Sequence, residues 1–361
     1  NRGRELEYVA DVKRLVEQRL DGFAAKHDVG EIDLVCGGPP CQGYSGIGHR
    51  RSYKVDKKAI PSNHLYEDMI EVIKQVRPRL FLFENVKGLM SGRWTADGEK
   101  GEIWRDVTNA FMTLEDYGVY PTLVQAKEYG VPQNRPRVLI AGVRRDIADL
   151  GASGTDAVEA GAIPAGCKKA PDLKDVLSDL MDEDYDREFV TRAYPRAART
   201  EYQRLMRAAK DDKDAVLPKG APVTEMEYSQ HSARIREKFE HMLKSGGEIP
   251  EAMKTKKFAQ RLLPETWGPA GPTITATSLA DDFVHYAQPR VLTVREWARL
   301  QAFPDWYQFA GPRTTGGLRR AGNPHEGVWD REVPKYTQIG NAVPVRLAYF
   351  IGEHFRKLLR G

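Results

Sequence analysis

The chain has 361 residues, 41% of them hydrophobic, which is enough to bury the core of one large domain or of two ordinary ones. No apolar run approaches the roughly 18 residues of a membrane span, and the N-terminus lacks the apolar segment of a signal peptide, so we expect a cytoplasmic protein without membrane contacts. Three cysteines at no regular spacing fit neither a disulfide framework nor a zinc site, and we expect no metal.

The net charge of +4 is unevenly distributed along the chain. Segment 187–261 has 17 Lys or Arg against 11 Asp or Glu, a net +6, so the remaining residues sum to about −2. Such an excess indicates either a solvated helical surface or a segment that attracts a polyanion.

Apolar runs alternate with amphipathic helical segments over the first 150 residues. This alternation predicts an α/β fold with a mostly parallel sheet covered on both faces, in which the last two strands pair antiparallel. The predicted helices are 8–27, 69–76 and 103–114, and the predicted strands are 32–36, 80–83, 120–126 and 138–143.

The pattern changes at about Gly151, where Gly/Ala-rich sequence gives way to charged helical stretches without alternating strands. Apolar order returns near Gly271. Thr293 is predicted to be the N-cap of a helix, and the segment that begins at Gln338 predicts an apolar C-terminal helix reaching about Leu359.

Cys41 follows a Gly-Gly-Pro-Pro turn that comes directly after a predicted strand. The stiff turn is expected to present Cys41, whereas Cys36, inside the strand, is expected to be buried. A thiol is an effective nucleophile only as the thiolate, and its pKa of about 8.5 falls when backbone N–H groups or cations surround it. A cysteine after Pro-Pro is, taken alone, more often structural than catalytic.

A carboxylate and two guanidinium groups are predicted to lie beside this turn. Glu84 follows the strand 80–83, where burial tends to raise a carboxyl pKa and lets the group hold a proton near neutrality. Arg135 and Arg137 suit a carbonyl, a carboxylate or a phosphate. The alternatives are a strand-end cap and a surface ion pair. Because the carboxyl ends of parallel strands share one edge, a nucleophile, an acid and an Arg pair are expected to converge there.

Five motifs, in this order, resemble those of the bacterial-type cytosine-5 DNA methyltransferases. The resemblance covers roughly 31–146 and 271–361. It implies an S-adenosylmethionine-dependent methyltransferase (Rossmann-like) sheet and a smaller target-recognition domain. The motifs are Pro39-Pro40-Cys41-Gln42, Glu84-Asn85-Val86, Gln133-x-Arg135-x-Arg137, Arg295-Glu296-x-Ala298-Arg299-Leu300-Gln301-x-Phe303-Pro304 and Gly340-Asn341-x-Val343-Pro344.

The resemblance also implies a division of the chain and an activity. Residues 1–150 would form the catalytic domain, 151–334 the target-recognition domain, and 335–361 a helix returning to the catalytic domain. The expected activity is transfer of a methyl group from S-adenosylmethionine to carbon 5 of a cytosine flipped out of a specific double-stranded DNA sequence, as in restriction-modification systems.

Individual roles follow from the same resemblance. Cys41 would add to carbon 6 of cytosine, Glu84 would stabilise charge at N3, and Arg137 would hold O2. Arg135 would support the same site or a nearby phosphate. The resemblance implies cofactor contacts from Pro39, Asn341 and Val343, and DNA contacts from Gln42 and Ser45. A loop with Arg313, Arg319 and Arg320 is a further candidate for phosphate contacts. The alternative is an exposed loop without DNA contact.

One part of the family pattern is not found. The family holds its methyl donor with a Phe-x-Gly-x-Gly-like turn upstream of the cysteine motif, and the 36 residues before Gly37 contain no such turn. We therefore expect the first strands of the sheet to be missing. Three explanations remain open: a truncated chain, a second chain that supplies these strands, or a degenerate non-catalytic relative. The presence of every catalytic motif favours the first two.

Three rival functions each account for part of the sequence. A DNA-binding or regulatory subunit without activity would keep the basic segment. A tRNA-methylating relative would share the cysteine motif, but its Cys-Phe-Thr signature is absent from the sequence. A thiol enzyme acting on small molecules would leave the basic segment without a role.

Overall fold

A computed structural model of the protein describes residues 30–39, 61–254, 260–269, 271–274, 281–314 and 333–360. The predicted helix 8–27 lies outside these residues. Internal contacts divide the chain into two compact units. The first comprises Asn1–Gln125, Pro136–Gly166 and Phe350–Gly361, and the second Ala126–Arg135 and Cys167–Tyr349. The functional division at 150 and 334 stays a prediction.

The first unit contains a four-stranded sheet of order β1-β2-β4-β3. β1 and β2 are parallel, whereas β4 lies between β2 and β3 and runs opposite to both. The antiparallel pairing of the last two strands is confirmed, but the described sheet is mixed rather than mostly parallel, because the short segment between β3 and β4 returns the chain in the opposite direction. The strands are β1 (Leu34–Gly37), β2 (Leu80–Val86), β3 (Tyr117–Gln125) and β4 (Pro136–Arg144).

Two helices supply the apolar side chains that cover β2. These are α1 (Leu65–Val76) and α2 (Glu102–Met112), each with an apolar stripe at helical spacing. Phe81 and Phe83 of β2 lie 5.5 Å and 5.2 Å, between ring centroids, from Phe111 of α2. Successive strand residues point to opposite faces. Because Phe81 and Phe83 pack into this core, Glu84 lies on the other face of the sheet.

Cys36 lies inside a strand, β1, as predicted, but its predicted burial is not observed. It is exposed, and the prediction that it is buried is wrong. Its strand, β1, stands at the edge of the described sheet and has β2 as its neighbour there.

The second unit is mainly helical. Its helices are α3 (Leu173–Leu177), α4 (Glu201–Arg207), α5 (Ala233–Ser245), α6 (Val294–Leu300) and α7 (Lys335–Asn341), and α8 (Val345–Leu358) continues into the first unit. Two short strands, β5 (Arg261–Leu262) and β6 (Phe283–Val284), pair in parallel. Among the described residues, no helix is both long and apolar enough to cross a bilayer. Short 3₁₀ turns occupy Pro61–His64, Lys87–Ser91, Ala126–Glu128, Ser178–Leu180 and Glu251–Met253.

Two sequence predictions for this unit have different outcomes. Thr293 is the N-cap of α6, and with Glu296 it forms a capping box, as predicted. The single helix expected from Gln338 to about Leu359 is two helices, because the chain is extended at Ala342 (ψ 149°). Pro344 explains the break, since proline disfavours helical backbone in the residue before it and has no N–H to donate.

A buried charge network joins α6 to Asp179, to Arg207 of α4 and to Asp305, which follows α6. Arg299 of α6 donates to both Asp179 and Asp305, with Nη2–Oδ2 at 2.6 Å to Asp305 and Nη1–Oδ1 at 2.5 Å to Asp179. Arg207 also donates to Asp179, at 2.7 Å. The Arg299 and Arg207 side chains are fully buried, so each carboxylate in the network depends on its guanidinium partners.

A second buried network contains a titratable group with a strongly shifted pKa. Arg290 makes two hydrogen bonds to Glu296, at 2.7 and 2.8 Å. Burial would raise the pKa of Glu296, but Arg290 and His285 lower it to about 2. Burial and then the Arg290 charge lower the pKa of His285 to about 3, against the opposing effect of Glu296. His285 is therefore neutral in the folded protein at neutral pH.

Acid is expected to weaken the fold through His285. Its pKa lies below the usual 6.5 in the folded state, so the unfolded chain binds a proton first and stability falls as the pH drops from about 6.5 towards 3. Between pH 7 and pH 5 the wild type should lose about 2 kcal/mol more than His285→Gln, at about 1.4 kcal/mol per pKa unit. Urea unfolding at the two pH values measures this difference, and equal losses in the two proteins would refute it.

Candidate active site

A buried ion pair links β2 to β4 at one end of the sheet. Arg137 pairs with Val86 in the antiparallel register, and Glu84 lies two residues earlier on the same face. Diagonal neighbours of this kind lie within reach of long side chains. Arg137 Nε is 2.6 Å from Glu84 Oε1, and the two side chains are only 7% and 19% exposed.

The charges of the pair are poorly screened because little water reaches them. Burial lowers the pKa of Arg137, and the charge of Glu84 and its hydrogen bond oppose that shift. An ion pair in such surroundings holds its geometry, since removing either partner leaves a buried charge uncompensated. The Glu84 carboxylate is therefore fixed through Oε1, and its second oxygen faces the backbone after β1.

Gly38 comes close to that second oxygen. A Cβ at Gly38 would lie 3.1 Å from Glu84 Oε2 and 3.5 Å from the Glu84 carbonyl oxygen. The next residue is also fixed, because Asn85 Nδ2 donates to the Pro39 carbonyl oxygen at 3.0 Å. Parallel pairing of β1 with β2 brings these segments to one edge, as the sequence predicted. The approach of Gly38 to Glu84 and the hydrogen bond from Asn85 to Pro39 were not predicted. The only sequence signal for them is the position of these residues at the ends of two neighbouring strands.

Glu84 lies within a strand rather than after it. β2 extends to Val86 because Glu84, Asn85 and Val86 continue the pairing with β4, so the predicted strand end at 83 is wrong. Several predicted site residues lie outside the described residues: Cys41, Gln42, Ser45, Arg319 and Arg320.

Arg135 does not share the surroundings of Arg137. It belongs to the second unit, is 5% exposed, and donates to three main-chain carbonyls. The Nη1–oxygen distance to Ile274 is 2.5 Å, and the Nη2–oxygen distances to Gly340 and Ala342 are 2.6 and 3.1 Å. The two arginines of the Gln-x-Arg-x-Arg triplet thus have different partners, although the sequence placed them on one side of an extended chain.

Comparisons with known proteins agree with this arrangement of motifs. The model of the C-5 cytosine-specific DNA methylase family matches residues 10–357. The chain belongs to this family. It is 29% identical to the Type II methyltransferase M.DdeI of Desulfomicrobium norvegicum, over 92% of this chain and 75% of that protein. It is 28% identical to the Type II methyltransferase M.XorII of Xanthomonas oryzae, over 98% of this chain and 73% of that protein.

One solved structure has the same fold. It is that of a candidate DNA modification methyltransferase encoded within an Escherichia coli prophage, with a TM-score of 0.63 and 24% identity over 99% of this chain and 87% of that one. Members of the C-5 cytosine-specific family transfer a methyl group from S-adenosylmethionine to cytosine in DNA. The predicted fold class, enzyme class and restriction-modification relationship are confirmed.

The methyltransferase motif around Asn341 forms an exposed turn. Asn341 is the last residue of α7 and is exposed, and Val343 is partly buried. A carboxamide offers two N–H donors and one acceptor oxygen, which fit the amino acid part of S-adenosylmethionine. The exposed carboxamide of Asn341 therefore fits a contact with the donor. The donor contacts of Val343, and of Pro39, which is partly buried and follows β1, stay predictions.

Arg313 has intramolecular partners in this methyltransferase. Its Nη1 donates to the Glu227 carbonyl oxygen at 3.0 Å, and Nη2 lies 3.4 Å from Ser229 Oγ. Its predicted contact with a DNA phosphate stays a prediction.

The gap that Gly38 leaves beside Glu84 gives a direct test of the site. Gly38→Ala is expected to slow methyl transfer about tenfold, since the added methyl at 3.1 Å must push the carboxylate by a few tenths of an ångström and small misplacements are costly in catalysis. Gly30→Ala is the control, because its Cβ would meet nothing within 4 Å. Equal rates in the two variants would show that the contact has no catalytic effect.

Proposed function

We propose that this chain methylates carbon 5 of a flipped-out cytosine in a specific double-stranded DNA sequence through a covalent bond from Cys41. The observation that carries the proposal is the buried ion pair between Glu84 and Arg137, with the backbone of Gly38 and Pro39 beside it. Cys41 is two residues beyond Pro39. The rest of the proposal follows from what cytosine chemistry requires.

The thiolate of Cys41 forms a bond to carbon 6, and the ring electrons of the 5,6 double bond move towards carbon 5 and N3. A proton held by Glu84 at N3 neutralises the charge where it develops. Arg137 donates to O2 of the base and holds the Glu84 carboxylate in the required orientation. S-adenosylmethionine supplies an electrophilic methyl group when it is bound.

Elimination of the thiolate then reverses its addition to carbon 6. A base removes the proton from carbon 5, those electrons restore the 5,6 double bond, and the carbon–sulfur bond breaks to return the thiolate. The proton at N3 returns to Glu84. Splitting a difficult substitution into addition and elimination is the advantage of covalent catalysis. The target base must leave the helix stack at a cost of a few kcal/mol, which contacts with the DNA must offset.

The basic segment 187–261 is a source of such contacts. Only part of its charge is available, since Arg207 is fully buried against Asp179. Others, such as Arg192 with Glu188, are exposed pairs whose charges water screens. We propose sequence-independent attraction to phosphates from the exposed cations, which weakens as salt rises, and we include Gln42, Ser45 and the loop with Arg313, Arg319 and Arg320 among the DNA contacts.

Contacts with the donor are proposed for Pro39, Asn341 and Val343, each by itself. A second chain that supplies further donor-binding strands stays a prediction. To test for such a second chain, the methylation assay described below is also run with this chain mixed with the product of any adjacent gene.

The experiment measures transfer of labelled methyl groups from S-adenosylmethionine to DNA by the wild type, Cys41→Ser and Cys36→Ser. Cys36 is the matched control because it is an exposed cysteine on β1, the strand that precedes Cys41 in the sequence. We expect Cys36→Ser to retain activity and Cys41→Ser to lose it. A Cys41→Ser protein that methylates normally would overturn the proposal. A wild type that binds DNA but never methylates it, either alone or mixed with the product of an adjacent gene, would favour the non-catalytic DNA-binding subunit.

A further inference from the structure

The carboxyl end of α7 is held by side chains from distant parts of the sequence. The last carbonyls of a helix have no partner within it. Here Arg135 donates to the Gly340 and Ala342 oxygens. Gln301 Nε2 donates to the Ile339 and Ala342 oxygens at 2.9 and 2.8 Å. Three carbonyls of residues 339–342 are therefore bonded, and Ala342 is bonded twice.

These donors are themselves buried and cross-linked. Arg135 is 5% exposed and Gln301 is fully buried. Gln133 donates to the Gln301 side chain and, at 3.1 Å, to the Leu300 carbonyl oxygen. A cation at the carboxyl end of a helix is also favoured by the helix dipole. This arrangement, called here the carbonyl clamp, comprises Arg135 and Gln301.

The exposed side chain of Asn341 stands between two clamped carbonyls, those of Gly340 and Ala342. The clamp fixes the backbone carbonyls on both sides of Asn341. A rigid backbone holds such a group in place before a ligand arrives, which lowers the entropy cost of binding.

We infer that Arg135 is a positioning residue for the methyl donor, acting through the Gly340-Asn341-Ala342 turn rather than on the cytosine or on a phosphate. The inference rests on the proposed function, in which Asn341 contacts the donor. It divides the Gln-x-Arg-x-Arg triplet by task. Arg137 serves the reacting base through Glu84, whereas Gln133 and Arg135 serve the donor turn.

The test measures the dissociation constant of labelled S-adenosylmethionine, without DNA, for Arg135→Lys and Gln301→Met. Lysine keeps the charge but lacks the planar guanidinium that donates to three carbonyls. Methionine keeps the volume of Gln301 but has no N–H donors. We expect each variant to bind the donor about tenfold more weakly, as the loss of one or two hydrogen bonds implies. DNA affinity and its salt dependence should stay unchanged.

Gln338→Met is the matched control. Gln338 lies on the same helix, but its Nε2 donates to the Ala310 and Val333 oxygens, away from the turn. Its donor affinity should equal that of the wild type. Amide hydrogen exchange over 339–343 provides a second readout, and we expect it to accelerate in Arg135→Lys and Gln301→Met but not in Gln338→Met.

Four results would overturn the inference. Arg135→Lys with unchanged donor affinity and a DNA salt slope reduced by about one would place Arg135 on a phosphate. Lower melting temperature with unchanged donor affinity would make the clamp merely structural. Wild type that binds no donor would remove the role of the turn and count against the proposed function, whereas donor binding that is equal in wild type and in both clamp variants would refute the clamp alone.

Discussion

Glu84→Gln is expected to lower the rate of methyl transfer by about 10²–10⁴-fold, the usual range for removing a group that transfers a proton in the transition state. Glutamine has nearly the shape of glutamate, so the strand pairing of β2 with β4 should persist. It cannot hold and release a proton at N3, and it leaves the buried Arg137 charge without the partner that lies 2.6 Å away. Both effects act on the step in which charge develops on the ring.

Single-turnover kinetics with a saturating donor measures this rate without product release. Glu99→Gln is the control, because Glu99 pairs with Arg105 in a solvent-exposed position of the same unit. We expect its rate to match the wild type. A Glu84→Gln rate within a factor of a few of the wild type would show that this carboxylate does not act on the base.

Arg299→Met should have the largest effect on stability. The substitution leaves Asp179 and Asp305, whose side chains are 1% exposed, with fewer cationic partners in a buried site. Breaking a buried pair by removing one partner typically costs about 3–5 kcal/mol, because the remaining charge is uncompensated. The two carboxylates share one guanidinium. Arg207 still compensates Asp179, at 2.7 Å, whereas Asp305 keeps only the longer ion pair with Arg295, at 4.0 Å. We expect the loss to fall in that range.

Urea unfolding measures the free energy of unfolding of Arg299→Met against Arg187→Met. Arg187 pairs with Asp184 on the surface, where both side chains are more than half exposed. Exposed pairs contribute about 0–1 kcal/mol, so this control should unfold near the wild type. Equal unfolding free energies of the two variants would mean that the buried network does not stabilise the second unit.

Periodicity identified the elements of the first unit but not their arrangement. The apolar stripes of α1 and α2 and the strand of Glu84 could be predicted because burial imposes spacing on the sequence. The order β1-β2-β4-β3 could not, because strand order depends on pairing between segments distant along the chain. Cys36 shows the same limit, since an apolar run does not reveal whether its strand lies at the edge of the described sheet.

The candidate site divides in a similar way. Glu84 and Arg137 were predicted to lie together, and the antiparallel register explains why they do. Arg135 was assigned to the same site because it lies two residues from Arg137. Its partners are instead 139 to 207 residues away in the sequence, and side chain to main chain bonds of that separation leave no local signal. Asn85 lies within a recognised motif and Gly38 directly precedes one, but their contacts depend on the approach of β1 to β2.

The central claim is that Cys41 bonds to carbon 6 of the target cytosine. DNA with 5-fluorocytosine at the target position tests it, because fluorine at carbon 5 cannot leave as a proton and the adduct persists. The protein is purified from its host and incubated with this DNA and S-adenosylmethionine. We expect a covalent complex, and mass spectrometry of its digest should find the DNA on the Cys41 peptide. The chain has only three cysteines, so an adduct on Cys36 or Cys167, or active methylation without any adduct, would contradict the claim.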